Sequence, residues 1–341
     1  MTIPAFEIGS QQGLASLRPV MRPQSRPGRG QALVRMRAAC LNHRDLLVLH
    51  GRYGPLRAAG RVPLSDGVGE VLALGEGCTG PAVGTRVVCP HFVGWLDGDF
   101  DPAVFGADLG TSLDGWLAGQ VEVPAAALVP VPDALSDAQA APLCAAGLTA
   151  WHALVEFGRV RAGDLVLTLG TGGVSMFALQ LARLHGARVA ITSSSDAKLA
   201  QARALGAEIT VNYTTHPDWA AALLRASGGQ GADIVLETGG LATLGASLDA
   251  AAPNARIALI GALGGYGATQ LPNVTTLVLK NIVLKGIASG SRAMLQRLVR
   301  AAATGGLVPV IDRSFAFDEA PAAYAHLQSA AHLGKVLVRG I

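Results

Sequence analysis

Leu165-Val166-Leu167-Thr168-Leu169, followed by Gly170-Thr171-Gly172-Gly173-Val174-Ser175, is the stretch whose residue types and spacing most plainly promise chemistry. The apolar run lies between Gly163-Asp164 and Gly170 and reads as a buried parallel strand. Met176 to Leu184 reads as the helix that follows. A strand, a Gly-x-Gly turn and a helix in this order aim free N–H groups of a helix start at an anion, the pyrophosphate of a dinucleotide. Gly170 permits the tight turn, Gly172 lets the backbone come close to the ligand, and Gly173 and Val174 lie where the helix begins. Ser175 holds the third fingerprint position, where Gly or Ala is usual; it is small enough to keep helix and strand close.

A second strand should end at Ile191-Thr192-Ser193-Ser194-Ser195-Asp196. Binding of a ribose 2′-OH, the mark of NAD, uses an acid at that end. Counted back from Gly206-Ala207, the position belongs to Ser193. The hydroxyls of Ser193 and Ser194 can donate to a 2′-phosphate that a carboxylate would repel, and Lys198 adds positive charge one helical turn later. NADPH is therefore expected ahead of NADH. Asp196 reads as a cap of the following helix, although another register would turn it toward the ribose.

These elements sit in a chain of 341 residues, enough for two domains. Half the residues are hydrophobic and 15% are charged, which suits a well-buried α/β enzyme. The net charge is +3 and the arginines are scattered, so no nucleic-acid surface is expected. No basic start followed by an apolar core marks a signal peptide, and no apolar run approaches the ~18 residues of a membrane span. Cys40, Cys78, Cys89 and Cys144 form no C-x-x-C pair and read as reduced, space-filling thiols. A cytoplasmic protein without membrane partners is the expectation.

Ala32 to Ala38 alternates as a strand, and Gly67–Leu74 and Gly84–Pro90 read as further strands of a small β-rich domain. His91 to Ala118 has no clear period and reads as a long surface excursion. From Gly147 onward strands alternate with helices. The strands are 165–169, 188–192, 209–211, 234–236 and 256–260, with Gly261 closing the last; the helices run near 174–185, 196–205, 219–226 and 241–250. Such alternation implies a doubly wound parallel sheet. Ile282–Ile287 reads as its last strand. The tail, with helices near 292–303 and 319–328 and a strand at 335–339, has no place in that sheet and is expected against the N-terminal domain.

Several pieces, in order, make the chain resemble a medium-chain dehydrogenase/reductase, of the quinone oxidoreductase-like or alcohol dehydrogenase-like kind. They are Leu41-Asn42-His43-Arg44-Asp45 with Gly51-Arg52-Tyr53, Pro63 to Val71, Gly147 to Trp151, Gly170 to Ser175, Lys198, Ala204 to Ala207, Asn212-Tyr213 and Gly334-Lys335-Val336. The resemblance covers nearly the whole chain. It implies a GroES-like β-rich catalytic domain (1–146 and 288–341) split around a doubly wound, parallel-sheet Rossmann domain (147–287), with the active site in the cleft between them. It also implies a homodimer paired through Ile282–Ile287.

The resemblance further implies that Lys198 and Tyr213 contact the 2′-phosphate and that Thr149 lies at the nicotinamide; a bare helix-start Thr would only be a cap. Many relatives hold a catalytic zinc through Cys, His and Cys, and the matching positions here are Asn42, Ser65 and Ala145. None is a zinc ligand. The lobe that carries a structural zinc in some relatives has no cysteine after Cys89, so no metal is expected. Without zinc, charge growing on a substrate oxygen needs hydrogen-bond donors, and Tyr53, Asn42 and His43 are the catalytic candidates. Asp45 is expected to fix the loop by hydrogen bonds, and Trp95–Phe100 to be a plain surface loop or a lid.

The expected activity is a zinc-independent reductase moving hydride from NADPH to an activated C=C bond or a carbonyl of a small molecule. An alcohol dehydrogenase is the alternative, favoured by the extended lobe 95–118. A dinucleotide-binding sensor without turnover is the alternative of another class.

Overall fold

The computed structural model describes residues 2–56, 59–261, 263 and 272–341. Part of the expected Rossmann domain, residues 262 and 264–271, lies outside them. The chain forms two compact units, Met1–Leu148 with Gly290–Ile341, and Thr149–Ser289. Among the described residues no helix is long and apolar enough to cross a membrane.

The first unit is built on the strand Gln31–Leu41. Val34 and Met36 point into the core while Arg35 and Arg37 face water, the alternation of a half-buried strand. Asp66–Leu74 pairs antiparallel on one side and Lys335–Arg339 antiparallel on the other. The tail thus supplies a strand to the N-terminal sheet, with Val336 opposite Leu41. Ile311–Phe315 extends that edge in parallel. Arg86–Val88 and Val129–Pro130 complete the far side, and Gln120–Pro124 pairs with the N-terminal half of Gln31–Leu41. A separate hairpin joins Thr2–Ile8 to Leu17–Pro23; neither strand was expected from the sequence.

The segment 91–118 is a surface excursion only in its middle, where residues 96–103 are exposed; its two flanks turn inward. Phe92, Val93, Trp95, Leu109, Trp116 and Leu117 are buried. The backbone is irregular, so no period shows, yet its aromatic and aliphatic side chains pack inward. Gly115 passes so close beneath the preceding chain that a Cβ there would lie 2.1 Å from Leu64 O. Trp95–Phe100 is a surface loop, exposed from Leu96 to Phe100 and anchored at its start, where Trp95 is buried. The carbonyls of Trp95 and Leu96 accept the N–H groups of Arg292 and Ala293 at 2.8 and 2.9 Å, the first turn of the helix Arg292–Gly305.

The second unit is one parallel sheet in the order Ile209–Asn212, Arg188–Ser193, Leu165–Leu169, Ala232–Glu237, Ala251–Leu259, Val283–Gly286. Helices Gly173–Leu184, Asp196–Ala204, Trp219–Ala226 and Leu241–Ala250 connect the strands. Strand order reverses between Leu165–Leu169 and Ala232–Glu237, and ligands of such sheets lie outside the carboxyl ends at that point.

Gly115→Ala should lower the stability of the first unit by about 1–3 kcal/mol, because the clash is with backbone that no rotamer change relieves. Thermal unfolding checks this; an unchanged midpoint would contradict the packing described for residues 91–118.

Candidate active site

At the carboxyl edge of the parallel sheet, Gly170 takes φ 73°, the left-handed region that favours glycine. Gly172 is the N-cap of Gly173–Leu184, and a Cβ built on it would meet nothing within 4 Å. The turn therefore has open space over it. The first N–H groups of the helix, from Gly173 and Val174, have no intrahelical partner and carry the positive end of the helix dipole. This cradle fits a pyrophosphate. The Ser175 hydroxyl donates to Leu169 O at 2.7 Å, and Thr238 Oγ1 donates to the same carbonyl at 3.1 Å. Serine at the third fingerprint position is thus spent on tying helix to strand.

A residue the sequence reading missed shapes the same edge. Glu237 is fully buried, and its carboxylate accepts from Gly239 N at 2.7 Å, Gly240 N at 3.0 Å, Thr243 Oγ1 at 2.6 Å and from Ser247 Oγ. It fixes the turn 238–240 beside the glycine turn. The signal was an acid ending an apolar strand before Thr-Gly-Gly. Gly261 lies close to that turn; a Cβ there would sit 3.1 Å from Thr238 O.

Ser193, Ser194, Lys198 and Tyr213 gather at the ends of two neighbouring strands. Asn212 is opposite Ser193, and Tyr213 N donates to Ser193 O at 3.1 Å. Ser194 and Tyr213 are exposed, whereas Ser193 is buried and its hydroxyl accepts Ser195 N at 3.3 Å. Asp196 is not the helix cap. Ser195 is, its hydroxyl accepting Lys198 N at 3.4 Å. The Asp196 carboxylate instead accepts from Asn212 Nδ2 at 2.8 Å. Thr149 is buried within the helix Ala146–Trp151 and caps no helix start.

In the first unit Asn42 meets Ser65, and Ala145 meets Asp66, the residue that follows Ser65. Asn42 Nδ2 donates to Ser65 Oγ at 3.2 Å, and Ala145 N donates to Asp66 Oδ2 at 3.2 Å. An amide, a hydroxyl and a methyl do not make a zinc ligand set. Burial pushes the Cys89 and Cys144 thiols above their usual range and the Cys40 thiol up to about 12, so none offers a thiolate near neutrality. Lys335, not singled out as a site residue from the sequence, donates to Leu41 O at 2.7 Å and to Asn42 Oδ1. An ammonium only donates, so the amide atom facing it is the oxygen and Nδ2 faces Ser65.

Asp45 is buried and accepts Asn42 N at 2.7 Å, the loop-fixing role expected of it. Burial raises its carboxyl to about 7 despite Arg44 beside it. The Arg44 guanidinium lies 4.7 Å from the centre of the Tyr53 ring and pairs with Asp108, which also holds His91 Nδ1 at 2.8 Å. Burial alone would raise Asp108, but Arg44 and His91 hold it below the usual carboxylate range. Burial pushes the Tyr53 phenol up, with Arg44 opposing, so it remains a donor. His43 is exposed on the first turn of its helix and makes no hydrogen bond with a described residue.

Residues 28–133 match the family described as alcohol dehydrogenase GroES-like domain, and residues 173–304 that described as zinc-binding dehydrogenase. A zinc-type alcohol dehydrogenase-like protein of Schizosaccharomyces pombe is 40% identical over 91% of each chain. The acryloyl-coenzyme A reductase of Metallosphaera sedula is 30% identical over 97% of each. A Sinorhizobium meliloti structure solved as a candidate alcohol dehydrogenase superposes with a TM-score of 0.91, 40% identity and 99% coverage of both chains.

Gly172→Val should leave thermal stability unchanged, since the open space admits the side chain, yet weaken dinucleotide binding by about tenfold or more. Titration of intrinsic fluorescence with dinucleotide measures this. Asp45 gives a second expectation. Between its unfolded value near 4 and about 7 the folded protein keeps a proton that the unfolded chain releases, so stability falls as pH rises through that window. The unfolding midpoint should drop by roughly 3 °C or more from pH 5 to pH 8, and Asp45→Asn should flatten that drop.

Proposed function

Because the chain belongs to the medium-chain dehydrogenase/reductase superfamily, whose members are NAD(P)H-dependent oxidoreductases, we propose that it is a zinc-independent, NADPH-dependent reductase of small molecules carrying an activated C=C bond or a carbonyl. The observation that carries this reading is Asn42, held between Ser65 Oγ and the Lys335 ammonium at a position that supplies no zinc ligand. The amide of Asn42 and the hydroxyl of Ser65, with no zinc ligand at these positions, support the metal-free reading.

When bound, the reduced nicotinamide supplies hydride to the electrophilic carbon of the acceptor and is itself oxidised. The turn 170–174 takes the pyrophosphate and Thr149 the nicotinamide side. Ser193, Ser194, Lys198 and Tyr213 take the 2′-phosphate; the Ser193 hydroxyl, which accepts from Ser195 N, keeps its own proton to donate. As the new C–H bond forms, the displaced electron pair moves to the acceptor oxygen, and the half-buried Asn42 amide donates to that oxygen while the buried Ser65 hydroxyl holds the amide in place. The Tyr53 phenol, held protonated, delivers the proton that completes the reduction. An enone suits this chemistry because hydride reaches its β-carbon without a Lewis acid; acrylyl thioester reduction by the Metallosphaera relative is of the same class. The names of the yeast and Sinorhizobium relatives favour a second reading, oxidation of alcohols and reduction of aldehydes through the same donors. His43, exposed and unbonded, is the weakest of the three catalytic candidates. The outer strand Val283–Gly286, with Val278, Leu279 and Val283 exposed beside it, supports a homodimer.

A panel of quinones, enals, ketones and aldehydes, followed at the NADPH absorbance, tests the proposal. Turnover of enones or quinones, unaffected by chelator and by zinc, is expected. Stoichiometric zinc that activity requires would overturn the metal-free reading, and tight binding without turnover of any acceptor would leave a sensor. Lys198→Ala should raise KM for NADPH about tenfold and leave KM for NADH unchanged.

A further inference from the structure

We propose that Lys335 is a positioning residue for reduction: acting through Asn42, it sets the amide and charges it for an oxyanion. The inference rests on the reading that Asn42 receives the substrate oxygen. Lys335 opens the strand Lys335–Arg339, and the pairing of Val336 with Leu41 brings it level with residue 42. The residue is 3% exposed. Burying an ammonium is costly unless its charge is answered, and the usual answer is a carboxylate. No described carboxylate lies within the 4.0 Å of an ion pair with it. Its donors go instead to Leu41 O and to Asn42 Oδ1.

The choice of partners has a chemical consequence. An amide whose oxygen accepts from a cation is polarised, and its N–H groups become stronger donors. It also cannot flip, because the flipped form would put an NH2 group against an NH3+ group. One Nδ2 proton goes to Ser65 Oγ. The other is spare, and Asn42 is only half-buried, so that proton is the donor a substrate oxygen would meet. A plain structural latch between strand and loop would need neither charge nor a fixed amide orientation.

The test uses the full chain and the variants Lys335→Met, Lys335→Gln, Asn42→Ala and Lys335→Met/Asn42→Ala. With an acceptor that the wild type reduces, Lys335→Met and Asn42→Ala should each lower kcat about 10- to 100-fold, with KM for NADPH within about twofold. The double variant should be no slower than the slower single variant. Lys335→Gln, which keeps a donor for the latch but not the charge, should fold like wild type and lose a similar factor in kcat. As a readout without turnover, 4-nitrophenol in the presence of oxidised dinucleotide should bind as the coloured anion to wild type, and its apparent pKa should rise by about one unit or more in Lys335→Gln. Multiplying losses in the double variant, or an unmoved nitrophenol spectrum in Lys335→Gln, would overturn the assignment. Should the wild type reduce no acceptor, the reductase reading fails by itself, and the nitrophenol titration still decides the role of Lys335.

Discussion

The antiparallel pairing of Lys335–Arg339 with Gln31–Leu41 is the contact on which the first unit depends. It joins the last strand of the chain to an early one and makes one sheet of two segments separated by the whole second unit. It also sets the site. Gln31–Leu41 ends where Asn42 begins, and the register of its partner delivers Lys335 to that residue. The neighbouring strand starts at Asp66, directly after Ser65. Three chemical groups thus arrive together because three adjacent strands start or stop at one level of one sheet.

The second unit reaches the same result by different physics. Its strands are parallel, so their carboxyl ends form one edge, and the reversal of strand order leaves a crevice there. The glycine turn, the serines at 193 and 194 and Gly261 all lie on that edge because each ends or follows a strand. Glu237 supplies the rigidity, a buried carboxylate answered by four donors. Its cost of burial is offset by backbone N–H groups that would otherwise have been left unsatisfied in the turn.

Much of this was legible in the chain. The parallel sheet announced itself because strand and helix periods alternate regularly from Leu165 onward, and the glycine turn has one use in that setting. The buried flanks of the irregular segment 91–118 were missed because burial without periodicity leaves no trace in a linear pattern; only its tryptophans hinted at a core. Asp196 was misassigned by one residue, since Ser195 and Asp196 are both good caps and only the partner Asn212 separates them. Lys335 and Arg44 were invisible as site residues because their partners, Asn42 and Asp108, lie far along the sequence. Long-range polar pairs follow from strand register and from folded loops, and neither is written locally.

The hold of Trp95 and Leu96 on the start of Arg292–Gly305 bears on how the protein is made. Residues 149–289 are complete on the ribosome before residue 292 exists, so that unit has all its own strands in hand early. The other unit stays unfinished, with Gln31–Leu41 lacking its Lys335–Arg339 neighbour and the 95–96 carbonyls lacking their donors, until the residues after 290 have been made. A stalled or truncated product would carry a finished nucleotide fold on an open, aggregation-prone sheet edge.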